Sequence, residues 1–371
     1  MFIKSIKLIN FRNYETLNIE FNSKFNVIHG ENAQGKTNIL EAIFLCASGR
    51  SHRTSKDYDL IRYGNEEYYI KVLVDKEGNA ANIEVCYERD GKKKVRINEI
   101  PIHKIGNLMG NLNAVVFSPE DLRIIKEGPS ERRRFIDITI SQLKPTYFYD
   151  LQQYSKILFQ RNMLLKEIRK RKQLIDTLDI WNKNLVKTGS QIIKVRSEFV
   201  KKLNTNAEEN HYKLTNGSER LNIKYVPSIS ISCSPEIEEI EKEFLKSIEN
   251  NISSELIKCT TLTGPQRDDC DIMLNEMNIK YFGSQGQQRT AILSMKLSEI
   301  DIMREDTGEY PVLLLDDVMS ELDNKRQEYL YENIANMQVF ITCTDNSFFD
   351  EKAGQESKFF KVINGQVTVG K

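Results

Sequence analysis

The chain has 371 residues, 53 Lys plus Arg against 53 Asp plus Glu, and 40% hydrophobic residues. That length suits about two to three domains. A mean hydropathy of -0.48, with no run approaching ~18 apolar residues, excludes a membrane-spanning chain and a disordered one. Zero net charge excludes a uniformly basic nucleic-acid coat, but leaves room for opposite charges in separate segments.

The chain opens with three strands. Phe2, Ile6 and Leu8 alternate with polar positions, and Leu17, Ile19 and Phe21 repeat that period of two. Phe25–Ile28 then runs straight into Gly30, and Ile39, Leu40, Ile43 and Phe44 have the spacing of a buried helix face. From about 65 to 100 the pattern is again β, with a turn at Glu77-Gly78-Asn79 and a hairpin signal at Asp90-Gly91. From Pro129 to Leu203 long polar helices are expected, then an acidic helix over about Pro235 to Cys259. After Pro265 the chain turns α/β again. Val312–Leu315 is a buried-strand run, followed by a helix through Asn324–Ile334 and a strand at Gln338–Thr342. The expected fold class is α/β: one head built from 1–120 and 265–371, carrying an antiparallel β lobe at about 65–100, with a helical arm domain inserted over 121–264.

Gly30-Glu31-Asn32-Ala33-Gln34-Gly35-Lys36-Thr37 is G-x-x-x-x-G-K-T between a strand and a helix. The glycines let backbone N–H groups wrap phosphates, and the helix N-terminus adds its positive end. Lys36 reaches the β- and γ-phosphates of ATP, and Thr37 offers its hydroxyl to Mg²⁺. At the end of the Val312–Leu315 strand stand Asp316, which suits Mg²⁺, and Asp317, which suits an attacking water. Ser284 and Gly286, ahead of the apolar helix Ala291, Ile292, Met295 and Leu297, form either an anion-binding helix end or an ordinary N-cap.

The ordered set of phosphate loop, Ser284-x-Gly286-Gln287, apolar-Asp316-Asp317 and Ser320-x-Leu322-Asp323 resembles the heads of SMC-like ABC-type ATPases. Within that branch it resembles the RecF family of bacterial recombination-repair proteins. Phe117–Leu122, Gly128–Asp137 and Gly264–Asp269 carry the more specific likeness, and Asn10–Tyr14 the one shared across SMC-like proteins.

The resemblance implies a cytoplasmic DNA-repair ATPase. Arg12 and Asn13 would join the ATP site. Ser284, Gly286 and Gln287 would act in trans on the nucleotide of a second copy, with Ser284 and Asp323 on the interface of an ATP-dependent homodimer. The partners implied are double-stranded DNA without sequence preference, RecR, RecO and RecA, and no membrane. Two departures stand out. Asp317 replaces the longer Glu common after the Mg²⁺ aspartate, which implies slow turnover. The transporter-type switch histidine is missing after the last core strand, where Thr344 is the candidate to orient the γ-phosphate. That absence and the basic insertion speak against a transporter subunit.

Charge is segregated along the chain. From Lys156 to Lys202 there are thirteen Lys/Arg and four Asp/Glu; from Glu299 to Glu328 there are ten Asp/Glu and three Lys/Arg. Arg132-Arg133-Arg134 and Arg169-Lys170-Arg171-Lys172 are the candidate DNA contacts, against the alternative of a solvated helix face. Arg50 and Arg53 fit phosphate contacts or structural ion pairs equally. None of the six cysteines makes a C-x-x-C, so neither a zinc ribbon nor a redox pair is expected. The N-terminal segment lacks the apolar core of a secretory signal.

Overall fold

The structure is a computed structural model describing residues 1–76, 78–232, 235–344 and 357–370. Glu77 of the first expected turn, Cys233 and Asp345 lie outside the described residues. The chain divides into two compact units, Met1–Asp121 with Glu299–Lys371, and Leu122–Ser298.

The first unit holds two six-stranded sheets. In the antiparallel one, Phe2–Phe11 pairs with Tyr14–Glu20, setting Ile6 beside Ile19 and Leu8 beside Leu17. These side chains are buried, so the period of two marks the core face, and each contributes roughly 1.5–3 kcal/mol of burial. The other edge of Phe2–Phe11 pairs with Glu67–Lys76, and Asn79–Glu88, Lys93–Ile97 and Ile100–Ile102 continue the sheet. The expected β lobe thus supplies four strands of a six-stranded sheet that also takes in the first two strands. A free strand edge is satisfied there by a partner more than sixty residues away, a pairing that local pattern does not encode.

The second sheet runs in the order Gln366–Gly370, Ser357–Ile363, Phe25–His29, Val339–Cys343, Val312–Asp316, Ala114–Phe117. The five strands from Ser357–Ile363 to Ala114–Phe117 are parallel. The helix Lys36–Ser48 is buried from Ile39 to Ser48, which explains its near-continuous apolar sequence. The strand leading to the phosphate loop and the strand ending in Asp316 flank Val339–Cys343, so their C-terminal ends open on one rim. Ligands of open α/β sheets bind there.

The second unit is mainly helical: Pro129–Leu143, Pro145–Lys170, Leu178–Thr215 and Ile237–Lys258. Leu221–Val226, Asp269–Leu274 and Met277–Asn278 form a small antiparallel sheet. Asp269–Leu274 pairs over its full length with Leu221–Val226. That pairing groups 265–298 with the helical unit, whereas the sequence placed the boundary at 264. Arg161, fully buried, ties the helices together: its guanidinium donates to Glu255 Oε2 at 2.6 Å, Asn182 Oδ1 at 2.8 Å and Thr261 Oγ1 at 2.7 Å.

Candidate nucleotide site

The phosphate loop connects Phe25–His29 to Lys36–Ser48. Its helix starts on Gly35, whose φ of 111° is left-handed. A Cβ there would lie 2.4 Å from the Asn13 amide nitrogen, so conformation and space both require glycine. Lys36 Nζ donates to the carbonyls of Gly30 at 2.6 Å and Glu31 at 2.8 Å. The ammonium therefore sits at the loop backbone, where phosphate oxygens would compete for its protons.

The loop is braced from outside. Asn13 Nδ2 donates to the Gln34 carbonyl at 2.8 Å, and Asn13 Oδ1 accepts from Asn38 Nδ2 at 2.8 Å. The Tyr14 hydroxyl donates to the Gly35 carbonyl at 3.0 Å. Asn364 N–H donates to Gln34 Oε1 at 2.5 Å. Arg12 donates Nε and Nη2 to the two oxygens of buried Glu41, at 2.9 and 2.7 Å. Arg53 lies 3.5 Å from the same carboxylate, and the Ser51 hydroxyl donates to it. Burial pushes the Glu41 carboxyl up. The hydrogen bonds from Arg12 and Ser51 and the charges of Arg12 and Arg53 outweigh that, holding it below the ordinary range. Arg53 is thus a structural ion pair here. Arg12 and Asn13 hold the loop and its helix in shape from the hairpin turn of the antiparallel sheet.

Across the sheet rim, Thr37 Oγ1 donates to Asp316 Oδ1 at 2.7 Å. Thr342 Oγ1 donates to the same oxygen at 2.7 Å and accepts from the Asp317 N–H at 2.9 Å. Asp317 has a φ of 56°, a left-handed conformation uncommon outside glycine and tolerated by Asp. The Ser320 hydroxyl donates to the Asp317 carbonyl at 2.8 Å and secures the turn. Thr37 and Asp316 bring a hydroxyl and a carboxylate oxygen together, a donor set that fits Mg²⁺.

Thr342 is the residue that sequence reasoning missed. It stands opposite Asp316 in one register and opposite Ile28 in the other. Thr344 lies just past that strand and is exposed. The signal was available: a threonine closing the expected strand after Val339-Phe340-Ile341, two residues before Thr344.

Ser284 and Gln287 form a capping box. Ser284 N–H donates to Gln287 Oε1 at 2.8 Å, and Gln287 N–H to Ser284 Oγ at 3.2 Å. They open the helix Gln285–Thr307. A Cβ on Gly286 would meet only Ser284 Oγ, at 4.0 Å, so the glycine answers no crowding inside the chain. Asp323 caps the helix Asn324–Ile334, accepting from Arg326 N–H at 3.0 Å and pairing with the Arg326 guanidinium.

The two basic runs differ. Arg132 is taken up by Asp269, at 2.6 and 3.0 Å, and by the carbonyls of Ile124 and Glu127, both at 3.1 Å. Arg133 donates to the Asp268 carbonyl at 2.6 Å. Only Arg134 of that run is substantially exposed, pairing with Glu131 at 3.9 Å. Arg132 and Arg133 are therefore internal ties, which corrects their reading as a DNA-facing cluster. Arg169, Lys170, Arg171 and Lys172 are all exposed, where Pro145–Lys170 ends and the chain turns toward Leu178–Thr215. Among the described residues, no helix is long and apolar enough to cross a membrane.

The sequence matches the RecF/RecN/SMC N terminal domain over residues 2–368. It is 54% identical over 366 residues to the DNA replication and repair protein RecF of Acetivibrio thermocellus, covering 99% of each chain. It is 51% identical to the RecF of Ruminiclostridium cellulolyticum, again covering 99% of each. Among solved structures, the recombination mediator protein RecF with ATP, in the RecFOR pathway, superposes with a TM-score of 0.94 at 39% identity, covering 100% of this chain and 98% of that one. An SMC head bound to the winged-helix domain of ScpA shares the fold, with a TM-score of 0.55 at 15% identity and coverage of 100% and 97%. Matched along its length at such identity, the chain belongs to the RecF/RecN/SMC N-terminal domain family and, within it, to the RecF DNA replication and repair proteins.

Proposed function

We propose that this chain is a slow, DNA-stimulated ATPase whose ATP-bound homodimer closes as a clamp on double-stranded DNA near single-strand gaps. The observation that carries the reading is the hydrogen-bonded chain Thr37–Asp316–Thr342–Asp317 beside the Lys36 loop. It joins a phosphate cradle to a Mg²⁺-fitting pair and to a second carboxylate. Mg²⁺, when bound, neutralises phosphate charge.

Lys36 and the loop N–H groups hold the β- and γ-phosphates, braced by Arg12 and Asn13 beneath Gln34 and Gly35. Thr37 and Asp316 hold the metal. Asp317, fixed by Thr342, orients the attacking water. Its short side chain reaches that water poorly, which suits a timer better than a motor. Thr344 orients the γ-phosphate from the end of its strand. Ser284, Gly286 and Gln287 meet the nucleotide of the second copy, and Asp323 lies on the same interface. The open space at Gly286 supports this, because it leaves room for a phosphate to approach the helix N-terminus. The exposed Arg169–Lys172 run and Arg134 meet DNA phosphates, giving affinity without sequence readout. The 39% likeness to an ATP-bound mediator of the RecFOR pathway supports action with RecR and RecO in loading RecA.

Sedimentation with ATP, ADP and no nucleotide tests the clamp. ATP is expected to convert monomer to dimer in the wild type and not in Lys36→Met. Identical behaviour of the two would refute it. Turnover measured with linear, gapped and single-stranded DNA tests the stimulation and the preferred substrate.

A further inference from the structure

The capping box at Ser284 does not stand alone. Gln287 Nε2 donates to Glu219 Oε1 at 2.8 Å. The other Glu219 oxygen lies 3.2 Å from His211 Nε2, and His211 Nδ1 lies 3.1 Å from Ser294 Oγ. His211 and Ser294 are fully buried. One residue earlier, Asn210 Nδ2 donates to Ser298 Oγ at 3.3 Å. The last turns of Leu178–Thr215 are therefore bound to the helix Gln285–Thr307 at Ser294 and Ser298. Through Glu219 they are also bound to its first turn.

We infer that Glu219 is a positioning residue for Ser284, and that with His211 it couples Ser284 to the long arm helix. The inference deepens the reading above and rests on it, since it takes Ser284 to meet the second copy's nucleotide. Ser284 Oγ and Gln287 share one pair of capping hydrogen bonds. If the Gln287 amide rotates, Ser284 N–H loses its acceptor and the helix end loses its fixed geometry. Glu219 removes that freedom by accepting from the Gln287 Nε2 amide, and a charged acceptor makes the restraint stronger than a neutral one.

Glu219 is also well placed for coupling. It sits in the short connection between Leu178–Thr215 and Leu221–Val226. The far end of that 38-residue helix, about 57 Å away at 1.5 Å per residue, adjoins the exposed basic turn. A rigid helix anchored at His211 transmits displacement at its basic end to the residue that steers Gln287.

The test uses the full-length protein and four variants. Glu219→Ala is expected to lower ATP-driven dimer formation and kcat about tenfold, the scale of one charge-assisted hydrogen bond. It is expected to abolish stimulation by DNA while monomer affinity for ATP stays unchanged. Glu219→Gln, which can accept from Gln287 and donate to His211, is expected to return kcat to within about twofold of wild type. Glu208→Ala removes only the surface pair with Arg220 in the same region and is expected to behave as wild type. Wild-type turnover and DNA stimulation in Glu219→Ala, or a loss that Glu219→Gln does not restore, overturns the inference. Ser284→Arg separates it from its foundation. If that variant still dimerises with ATP, the trans reading of Ser284 falls and takes the inference with it. If it does not dimerise while Glu219→Ala does so normally, the inference alone falls.

Discussion

Thr342 Oγ1 donates to Asp316 Oδ1 at 2.7 Å and accepts the Asp317 N–H at 2.9 Å. One hydroxyl thus fixes both carboxylates of the rim. It orients the first side chain directly and holds the second residue's backbone at a φ of 56°. The strand order makes this possible, because Val339–Cys343 lies between the strand that feeds the phosphate loop and the strand that ends in Asp316.

Thr342→Val keeps the volume of the side chain but removes the hydroxyl, leaving the Asp317 N–H without this acceptor. The Mg²⁺-dependent turnover rate is expected to fall about 10- to 100-fold, as for outer-shell partners of metal ligands. Stability should fall by only about 0.5–1.5 kcal/mol, since the Asp317 N–H keeps the Thr342 carbonyl at 3.3 Å and Asp316 keeps Thr37. Nucleotide affinity measured without Mg²⁺ should stay near wild type, since Lys36 and the loop are untouched. Steady-state kinetics, urea melts and nucleotide titration check the three parts.

Glu41 carries a pH dependence. Its folded carboxyl is held below the ordinary value of 4.5 by Arg12, Ser51 and Arg53 despite burial. A depressed pKa contributes stability that is present above 4.5 and lost as pH falls from there through the folded value. Glu41→Gln should therefore flatten the acid limb of the stability profile while lowering stability at neutral pH. Denaturant midpoints from pH 3 to 7 read the difference. A variant whose acid limb keeps the wild-type slope would show that the Glu41 carboxyl titrates alike in the folded and unfolded chain.

The arm depends on a buried ion pair. Arg161 and Glu255 are both fully buried, so removing one partner strands the other away from water. Glu255→Ala is expected to cost about 3–5 kcal/mol, whereas the paired change Arg161→Met with Glu255→Leu should recover much of that loss. Urea unfolding of the single and double variants decides it. Equal losses would show that Asn182 and Thr261 need the guanidinium as much as Glu255 does.

The sequence made the phosphate loop, the Asp316 strand and the capped Ser284 helix legible, because each joins a local motif to a local period. The partners across the fold were not legible. That Phe2–Phe11 belongs with the β lobe, that Asp269–Leu274 completes a sheet with Leu221–Val226, and that Thr342 meets Asp316 all follow from strand register between distant segments. Arg132 shows the same limit for charge. A triplet of arginines reads as a surface patch until Asp269, 137 residues away, is seen to take one of them inward.

That distinction separates the two basic runs experimentally. Arg132→Ala breaks a paired guanidinium–carboxylate interaction and two carbonyl hydrogen bonds. It should cost about 2 kcal/mol of stability, with little change in the salt dependence of DNA binding. Replacing Arg169, Lys170, Arg171 and Lys172 by Gln should do the reverse. These side chains are exposed, so stability should change by no more than about 0.5 kcal/mol. The slope of log affinity against log salt should shrink by roughly one for each phosphate no longer neutralised. Fluorescence anisotropy on a labelled duplex over a range of salt concentrations, beside urea melts of both variants, resolves the two effects. An unchanged slope in the Gln variant would move the DNA surface off this turn. A flattened slope at wild-type stability places it there, because counterion release counts phosphates neutralised and does not depend on how the rest of the arm is packed.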